Sequence, residues 1–244
     1  MISLCVCFSD VYNSLLELKT SEYFKHTLLM YLKSYGAEYA FSEFYLQFDE
    51  NEAVCAVMLR YNSFLYCAAS DIADLDEISA WLAGIKDITV YSSVSLSLDN
   101  SELCFELCKR GFFAPSNEVL PLRKATDLKK ISGLINQNAD ESVINEFYLD
   151  ISHHFRHNNL EIFGLFEGEE LVSFAACSKG EGVSVIPFVY TSEYFRGKGY
   201  SKKVLSAMCS DENREYRLIC SENRMDFYGK CGFLVEKSCH KYYL

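Results

Sequence analysis

The order of predicted secondary-structure elements repeats along the chain, and this repeat limits the possible folds more than any other feature. Residues 1–114 predict a helix at 22–34, a hairpin of EFYLQF and AVCAVMLRY, a strand SFLYCAAS, a helix at 74–82, a strand ITVYSS and a helix near 101–110. Residues 119–244 predict a similar order, and the halves end in the related sequences ELCKRGFF and FYGKCGFL. We therefore expect a diverged internal duplication whose halves form two α/β domains, 1–114 and 119–244.

The second half shows its elements in more detail. It predicts a short strand at its start, helices from 125 and at 141–154, a hairpin that turns at 167–170, the strand run VSVIPFVYT, a helix at 199–208, the strand YRLICS, a short helix at 225–230 and final strands at 233–244.

The charge balance narrows the class of partner. The 244 residues include 23 Lys+Arg against 34 Asp+Glu, a formal net charge of −11. Such a chain is poorly suited to bind nucleic acid or an anionic membrane, and no apolar run approaches the roughly 18 residues of a membrane span. The start, MISLCVCFSD, lacks the pattern of a signal peptide. We expect a soluble cytoplasmic protein without nucleic-acid or membrane partners, and a homodimer remains open.

Cysteine and histidine patterns argue against metal sites and disulfides. Eleven cysteines lie mostly in apolar runs, their number is odd, and no C-x-x-C spacing occurs. His153 and His157 lie one helical turn apart in HHFRH, but no third ligand accompanies them. We therefore expect reduced, buried thiols, a solvated helix end at the histidines, and no metal.

The most informative segment for chemistry is VIPFVYTSEYFRGKGYSKKVL, at 185–205. Its strand runs into a glycine-rich turn that opens a helix, and we call this turn the glycine loop. Glycines let the backbone approach a ligand closely, and the unpaired N–H groups of a first helical turn attract anions. The alternative is an ordinary turn, since neither G-x-x-x-x-G-K-S/T nor G-x-G-x-x-G is present. The glycine loop consists of Arg196, Gly197, Lys198, Gly199, Tyr200 and Ser201.

The pattern Arg-x-x-Gly-x-Ser after a strand, followed by an Asn-containing turn and FYGKCGF, resembles the GNAT superfamily of acetyl-coenzyme A-dependent N-acetyltransferases. The resemblance covers roughly 119–244. That family's loop reads Gln/Arg-x-x-Gly-x-Gly/Ala, so Arg196 and Gly199 match it and Ser201 replaces its small final residue. The resemblance implies two tandem GNAT-like domains, each a mixed, mostly antiparallel sheet flanked by helices, with acetyl-coenzyme A as cosubstrate.

The same resemblance implies roles for the strand before the glycine loop. Pro187 would lie at a bulge where two strands separate and admit the pantetheine arm. The backbone N–H groups of Phe188, Val189 and Tyr190 would face the coenzyme, and that of Val189 or a neighbour would stabilise the oxyanion. Alternatively, Pro187 merely ends a strand.

Two residues near the end of the chain complete the implied site. Asn223 would contact the coenzyme, and Tyr228 would lie near its sulfur as general acid for the leaving thiolate. The alternative role for Tyr228 is packing beside Phe227 and Phe233. No general base can be assigned, although Glu193 and Glu222 lie near the right elements.

The first half lacks the glycine loop, and Leu107 stands where the second half has Tyr228. Acidic residues follow its third strand and would repel a pyrophosphate, so we expect a degenerate domain that binds no coenzyme A. These acidic residues are Asp71, Asp74, Asp76 and Glu77.

For the whole chain we expect transfer of an acetyl group to a primary amine of a small molecule or peptide. The alternatives are a non-catalytic acyl-coenzyme A sensor and a purely structural protein.

Overall fold

The computed structural model describes residues 1–135, 141–180 and 182–244, which fold into α/β layers. The helices of this part are α1 (Phe8–Glu17), α2 (Glu22–Tyr35), α3 (Leu75–Leu82), α4 (Ala125–Ile135), α5 (Glu141–Arg156), α6 (Tyr200–Met208) and α7 (Met225–Lys230). The strands are β1 (Ile2–Cys5), β2 (Ser42–Phe48), β3 (Val54–Tyr61), β4 (Phe64–Ala69), β5 (Thr89–Ser92), β6 (Ser101–Lys109), β7 (Val119–Pro121), β8 (Leu160–Glu167), β9 (Glu170–Ser178), β10 (Val183–Val185), β11 (Phe188–Thr191), β12 (Glu215–Ser221) and β13 (Phe233–Tyr243).

The chain forms two compact units that do not follow the sequence order throughout. The first unit contains 1–107, 219–226 and 235–244, and the second contains 108–218 and 227–234. The change near 107 lies close to the expected boundary at 114–119. Two segments that the sequence assigns to the second half nevertheless pack within the first unit.

The first unit is built on a mixed sheet in the order β1-β2-β3-β4-β5-β13-β6. Neighbours from β1 to β4 are antiparallel, whereas β4 and β5 are parallel. Strand β3 reads VCAVMLRY and is buried over most of its length, as expected for an apolar strand that is covered on both faces. The core includes Met58, Leu65, Ile78, Leu82 and Val90.

The second unit contains a four-stranded antiparallel sheet in the order β11-β9-β8-β7, and β10 pairs in parallel with β12. Helix α6 packs against β8 and β9, and α4 packs against α5. Gly111 and Gly232, the glycines of the two similar sequence endings, meet in this unit. The N–H groups of Arg110 and Gly111 donate to the Gly232 carbonyl at 2.8 and 2.9 Å. Any Cβ on Gly232 would lie 2.2 Å from the Gly111 oxygen, so this contact requires glycine.

Most predicted elements are present, including both hairpins and the helices near 74–82, 199–208 and 225–230. The predicted helix near 101–110 is wrong, because this segment is strand β6. Cys104 and Cys108 are four residues apart, a spacing that places two side chains on one face of a helix or of a strand. Strand β1 and helix α1 were not predicted, and the final strands are one strand, β13.

All eleven cysteines lie in the described part and are free thiols, nine of them buried. Burial raises the pKa of Cys209 to about 12, and other buried thiols shift in the same direction. These side chains therefore pack as small apolar groups.

Candidate active site

The run VSVIPFVYT divides at Pro187, where the chain changes its pairing partner. Before the division, β10 pairs in parallel with β12, and the Ile186 N–H donates to the Arg217 carbonyl at 2.8 Å. After it, β11 pairs antiparallel with β9 in the other sheet. Proline has no N–H to donate to a ladder, so the break falls where such a donor is dispensable.

Strand β11 is the outer strand of its sheet in the described part of the chain, and this leaves one of its edges open. The Ser192 N–H donates to the Val172 carbonyl at 2.9 Å, continuing the β11–β9 register. Because hydrogen-bonded pairs alternate along an antiparallel ladder, Phe188 and Tyr190 bond to β9, whereas Val189 directs its N–H away from it. Of the three N–H groups expected to face a coenzyme, only that of Val189 therefore points to the open edge.

The glycine loop connects β11, through a short 3₁₀ helix at Glu193–Phe195, to the start of α6. Gly197 and Gly199 have φ values of +80° and +78°, which a side chain would strain. Nothing lies within 4 Å of a Cβ built on either residue. Both glycines are thus required by backbone conformation and not by crowding.

Helix α6 offers an open N-terminus. Its cap residue is Gly199, no side chain caps the helix, and no acidic residue lies in the first turn. The N–H groups of that turn have no intrahelical partner, and the helix dipole adds partial positive charge. This end of α6 can therefore accept an anion such as a pyrophosphate.

The charged side chains of the loop are exposed beside this helix end. Arg196 pairs with Glu193 at 3.1 Å, and its Nε donates to the Thr191 carbonyl at 3.4 Å. The Lys198 ammonium lies 4.6 Å from the centre of the Phe195 ring. Arg196 can reorient toward a ligand, since exposed ion pairs contribute little to stability.

Tyr200 opens α6 and is fixed by an acidic partner. Its hydroxyl donates to the Glu167 carboxylate, and this hydrogen bond raises the pKa of the phenol. The contact ties the start of the helix to the end of β8.

A chain of three hydroxyls fixes the loop to the sheet. The Thr191 Oγ1 lies 2.7 Å from the Ser173 Oγ on β9 and 2.6 Å from the Ser201 Oγ on α6. Ser201, which departs from the related loop pattern, therefore bonds to the strand before the loop. Ser173 and Thr191 were not predicted as part of the site, and only their positions in the strands that precede α6 could have suggested them.

Tyr228 lies on α7 in the second unit. Its ring packs edge-on against Phe227 and Phe233, with centroids 5.0 and 5.9 Å apart, so the packing contacts considered from sequence are present. Asn223 is exposed, belongs to the first unit, and accepts a hydrogen bond from the Ser221 hydroxyl at 2.7 Å. The second unit thus holds all expected site residues except Asn223.

The equivalent positions of the first unit are arranged differently. Strands β4 and β5 stay paired over Phe64–Cys67 and Thr89–Ser92, without a break like that at Pro187. The Asp74 side chain caps α3 by accepting from the Glu77 N–H at 2.9 Å. Glu77 in turn pairs with the N-terminal ammonium at 3.1 Å. The end of α3 therefore carries carboxylates where α6 offers open N–H groups.

Within the described residues, no group of three His, Cys, Asp or Glu side chains is arranged to hold a metal ion. None of the helices described is both long and apolar enough to cross a membrane.

Comparison with known proteins agrees with this architecture. Residues 129–233 match the acetyltransferase (GNAT) family. The chain is similar in structure to a GCN5-related N-acetyltransferase from Sphaerobacter thermophilus, with a TM-score of 0.61 at 12% identity over 99% of this chain and 94% of that one. No curated protein matches the sequence.

Two further solved structures resemble the whole chain. A tandem GNAT protein from the clavulanic acid biosynthesis pathway has a TM-score of 0.61 at 8% identity, over 99% of this chain and 97% of that one. An acetyltransferase of the GNAT family from Colwellia psychrerythraea has a TM-score of 0.57 at 12% identity, over 99% and 98%. At these identities the likeness establishes the fold, which is that of two tandem GNAT-like domains.

Proposed function

Because residues 129–233 form a GNAT-family domain within a tandem GNAT fold, we propose that this protein is an acetyl-coenzyme A-dependent N-acetyltransferase. Its acceptor would be a primary amine of a small molecule or peptide. The observation that carries the proposal is the change of pairing partner at Pro187, which opens one edge of β11 directly before the glycine-capped start of α6.

Binding follows from the two features on either side of the glycine loop. The N–H groups at the start of α6 would hold the pyrophosphate of acetyl-coenzyme A, with Arg196 and Lys198 adding charge. The open edge of β11 would receive the pantetheine arm, whose amides can pair with strand backbone. A ligand bound in this way would bring its thioester toward Val189.

Acetyl transfer requires proton transfer or charge stabilisation at three atoms, which are the amine nitrogen, the thioester oxygen and the leaving sulfur. The amine must lose a proton, which costs roughly 4–5 kcal/mol at pH 7 for a lysine-like pKa. The Val189 N–H would donate to the thioester oxygen as negative charge develops there. Tyr228 would protonate the leaving sulfur. The group that removes the proton from the amine has no assignment among the described residues.

A thiol-release assay with acetyl-coenzyme A and a panel of polyamine, amino-sugar and peptide amines tests the proposal. We expect amine-dependent release of coenzyme A, and Tyr228→Phe to lower kcat by about 10²-fold because the phenol proton is lost. The phenyl ring retains the packing against Phe227 and Phe233. Tyr12→Phe, on α1 of the first unit, is the matched control and should leave the rate unchanged.

Two outcomes would contradict the proposal. Coenzyme binding without release for any amine would favour the non-catalytic sensor. An unchanged rate in Tyr228→Phe would contradict its assignment as general acid and remove that residue from the mechanism.

A further inference from the structure

A cavity of about 390 Å³ lies in the second unit, at the β7 edge of the four-stranded sheet. It lies where β8 begins and β9 ends, because Leu160 pairs with Ser178. The glycine loop follows the other end of the sheet, where Thr191 pairs with Ser173 near the start of β9. The cavity is therefore separate from the proposed coenzyme site.

The cavity has an apolar floor formed by the sheet. Leu122, Leu160 and Ile162 line it and are buried, and Phe155 at the end of α5 adds an aromatic wall. Its volume falls in the range of small-molecule sites, roughly 300–1,000 Å³. A floor of this kind suits the apolar body of an organic ligand.

The rim of the cavity is cationic although the chain as a whole is acidic. Arg123 follows β7, Arg156 ends α5 and Lys179 follows β9, so three separate elements each bring one cation to the same cavity. Glu161 also lines it, but its carboxylate pairs with Arg214 at 3.0 Å. Among the described residues, Arg123 and Arg156 take part in no ion pair.

Backbone groups add a polar element to the same edge. The Leu122 N–H donates to the Ile162 carbonyl at 2.8 Å, and the Lys179 N–H donates to the Asn159 carbonyl at 2.9 Å. Because hydrogen-bonded pairs alternate along an antiparallel ladder, the N–H and carbonyl of Leu160 point toward the β7 edge. Leu160 lies beyond the last residue of β8 that pairs with β7. A donor and an acceptor thus lie beside the apolar floor.

We propose that this cavity binds a small amphipathic anion. Its apolar body would rest on Leu160 and Ile162, and its carboxylate, sulfonate or phosphate would be held by Arg123 and Arg156. Arginine suits this task because its planar guanidinium binds oxyanions through two parallel hydrogen bonds. The inference does not depend on the proposed acetyl transfer, because it uses none of the residues of that site.

Two fluorescent probes that share an apolar body test the charge requirement. Anilinonaphthalene sulfonate carries the anion, and N-phenylnaphthylamine is its neutral counterpart. We expect the sulfonate to bind with one-to-one stoichiometry. The double variant Arg123→Gln/Arg156→Gln should lower the affinity for the sulfonate at least tenfold. The affinity of the neutral probe should change less than twofold in the same variant.

Two controls separate the cavity from other sites. The double variant Lys129→Gln/Lys237→Gln removes two exposed cations outside the cavity and should leave sulfonate binding unchanged. That result would exclude an effect of net charge. Gly199→Glu should also leave it unchanged, which excludes the glycine loop. Three results would each overturn the proposal. The arginine variant could lose affinity for both probes equally, or it could bind the sulfonate as well as the wild type does. The third is a loss of sulfonate affinity in Gly199→Glu.

Discussion

Ser201 illustrates how one substitution in a loop pattern can be accommodated. Its hydroxyl bonds to Thr191, which also bonds to Ser173, so the serine adds a tether without adding bulk.

We predict that Ser201→Ala lowers the free energy of unfolding by about 1 kcal/mol, because one partly buried hydrogen bond is lost. Affinity for acetyl-coenzyme A should change by no more than about threefold, since alanine restores the small residue of the related pattern. Denaturant unfolding and calorimetry measure the two effects. Loss of coenzyme binding in this variant would show that the hydroxyl chain itself forms the site.

His154 on α5 makes folding stability depend on pH. Burial lowers its pKa from 6.5 to about 4, although Asp150, 3.6 Å away, acts in the opposite direction. The unfolded state therefore takes up a proton first as the pH falls. Stability from this group is fully present above pH 6.5 and decreases toward pH 4, by about 3 kcal/mol in total.

His154→Gln should consequently lose less stability than the wild type between pH 7 and pH 4. Denaturant unfolding at both pH values measures this difference. Lys129→Gln, which removes an exposed cation on α4, is the control and should behave like the wild type. Equal pH dependence in His154→Gln and the wild type would show that burial does not lower the pKa of His154 in the folded protein.

At the scale of elements, the two corresponding helices α3 and α6 show why only one half is expected to bind coenzyme. Helix α3 is capped by its own carboxylate, whereas α6 begins at a glycine and has no side-chain cap. The acidic residues after β4 and the glycines before α6 were expected from the sequence, whereas the Asp74 cap is a finding of the structure.

Asp74→Ala should destabilise the protein by about 1 kcal/mol because α3 loses its cap. Acetyl-coenzyme A affinity should stay the same, since we assign binding to the glycine loop. Thermal unfolding and calorimetry provide the two measurements. A weaker affinity in this variant would mean that the first half takes part in coenzyme binding.

Other elements could not be predicted from local pattern. Strand β6 reads SELCFELCK, and its apolar pairs at 103–104 and 107–108 fit a helix as well as a strand, so long-range pairing decides between them. The open edge at Val189 likewise depends on the register between β11 and β9, which no local pattern contains. The elements with strong periodicity or clear turn residues, such as the β8–β9 hairpin and α6, could be predicted.

At the scale of the whole molecule, the order of residues along the chain does not determine which unit they stabilise. Strand β13 pairs with β5 through residues such as Tyr242, which is 1% exposed and accepts a hydrogen bond from the Leu96 N–H at 2.7 Å. The end of the chain thus completes the core of the first unit.

Tyr242→Ala should therefore lower the free energy of unfolding by about 3–5 kcal/mol, and hydrogen exchange should accelerate in β5. Tyr243→Ala, at the exposed neighbouring position, should cost far less. If Tyr242→Ala left exchange in β5 unchanged, the assignment of this segment to the first unit would be contradicted.

We expect the start of α6 to hold the pyrophosphate of acetyl-coenzyme A, and calorimetric titration measures this binding. Gly199→Glu and Gly199→Gln impose the same backbone strain at a φ of +78° and differ only in charge. We predict that the wild type binds with micromolar affinity and that the glutamate variant binds at least tenfold more weakly than the glutamine variant. Absence of binding by the wild type, or equal affinity of the two variants, would contradict the claim.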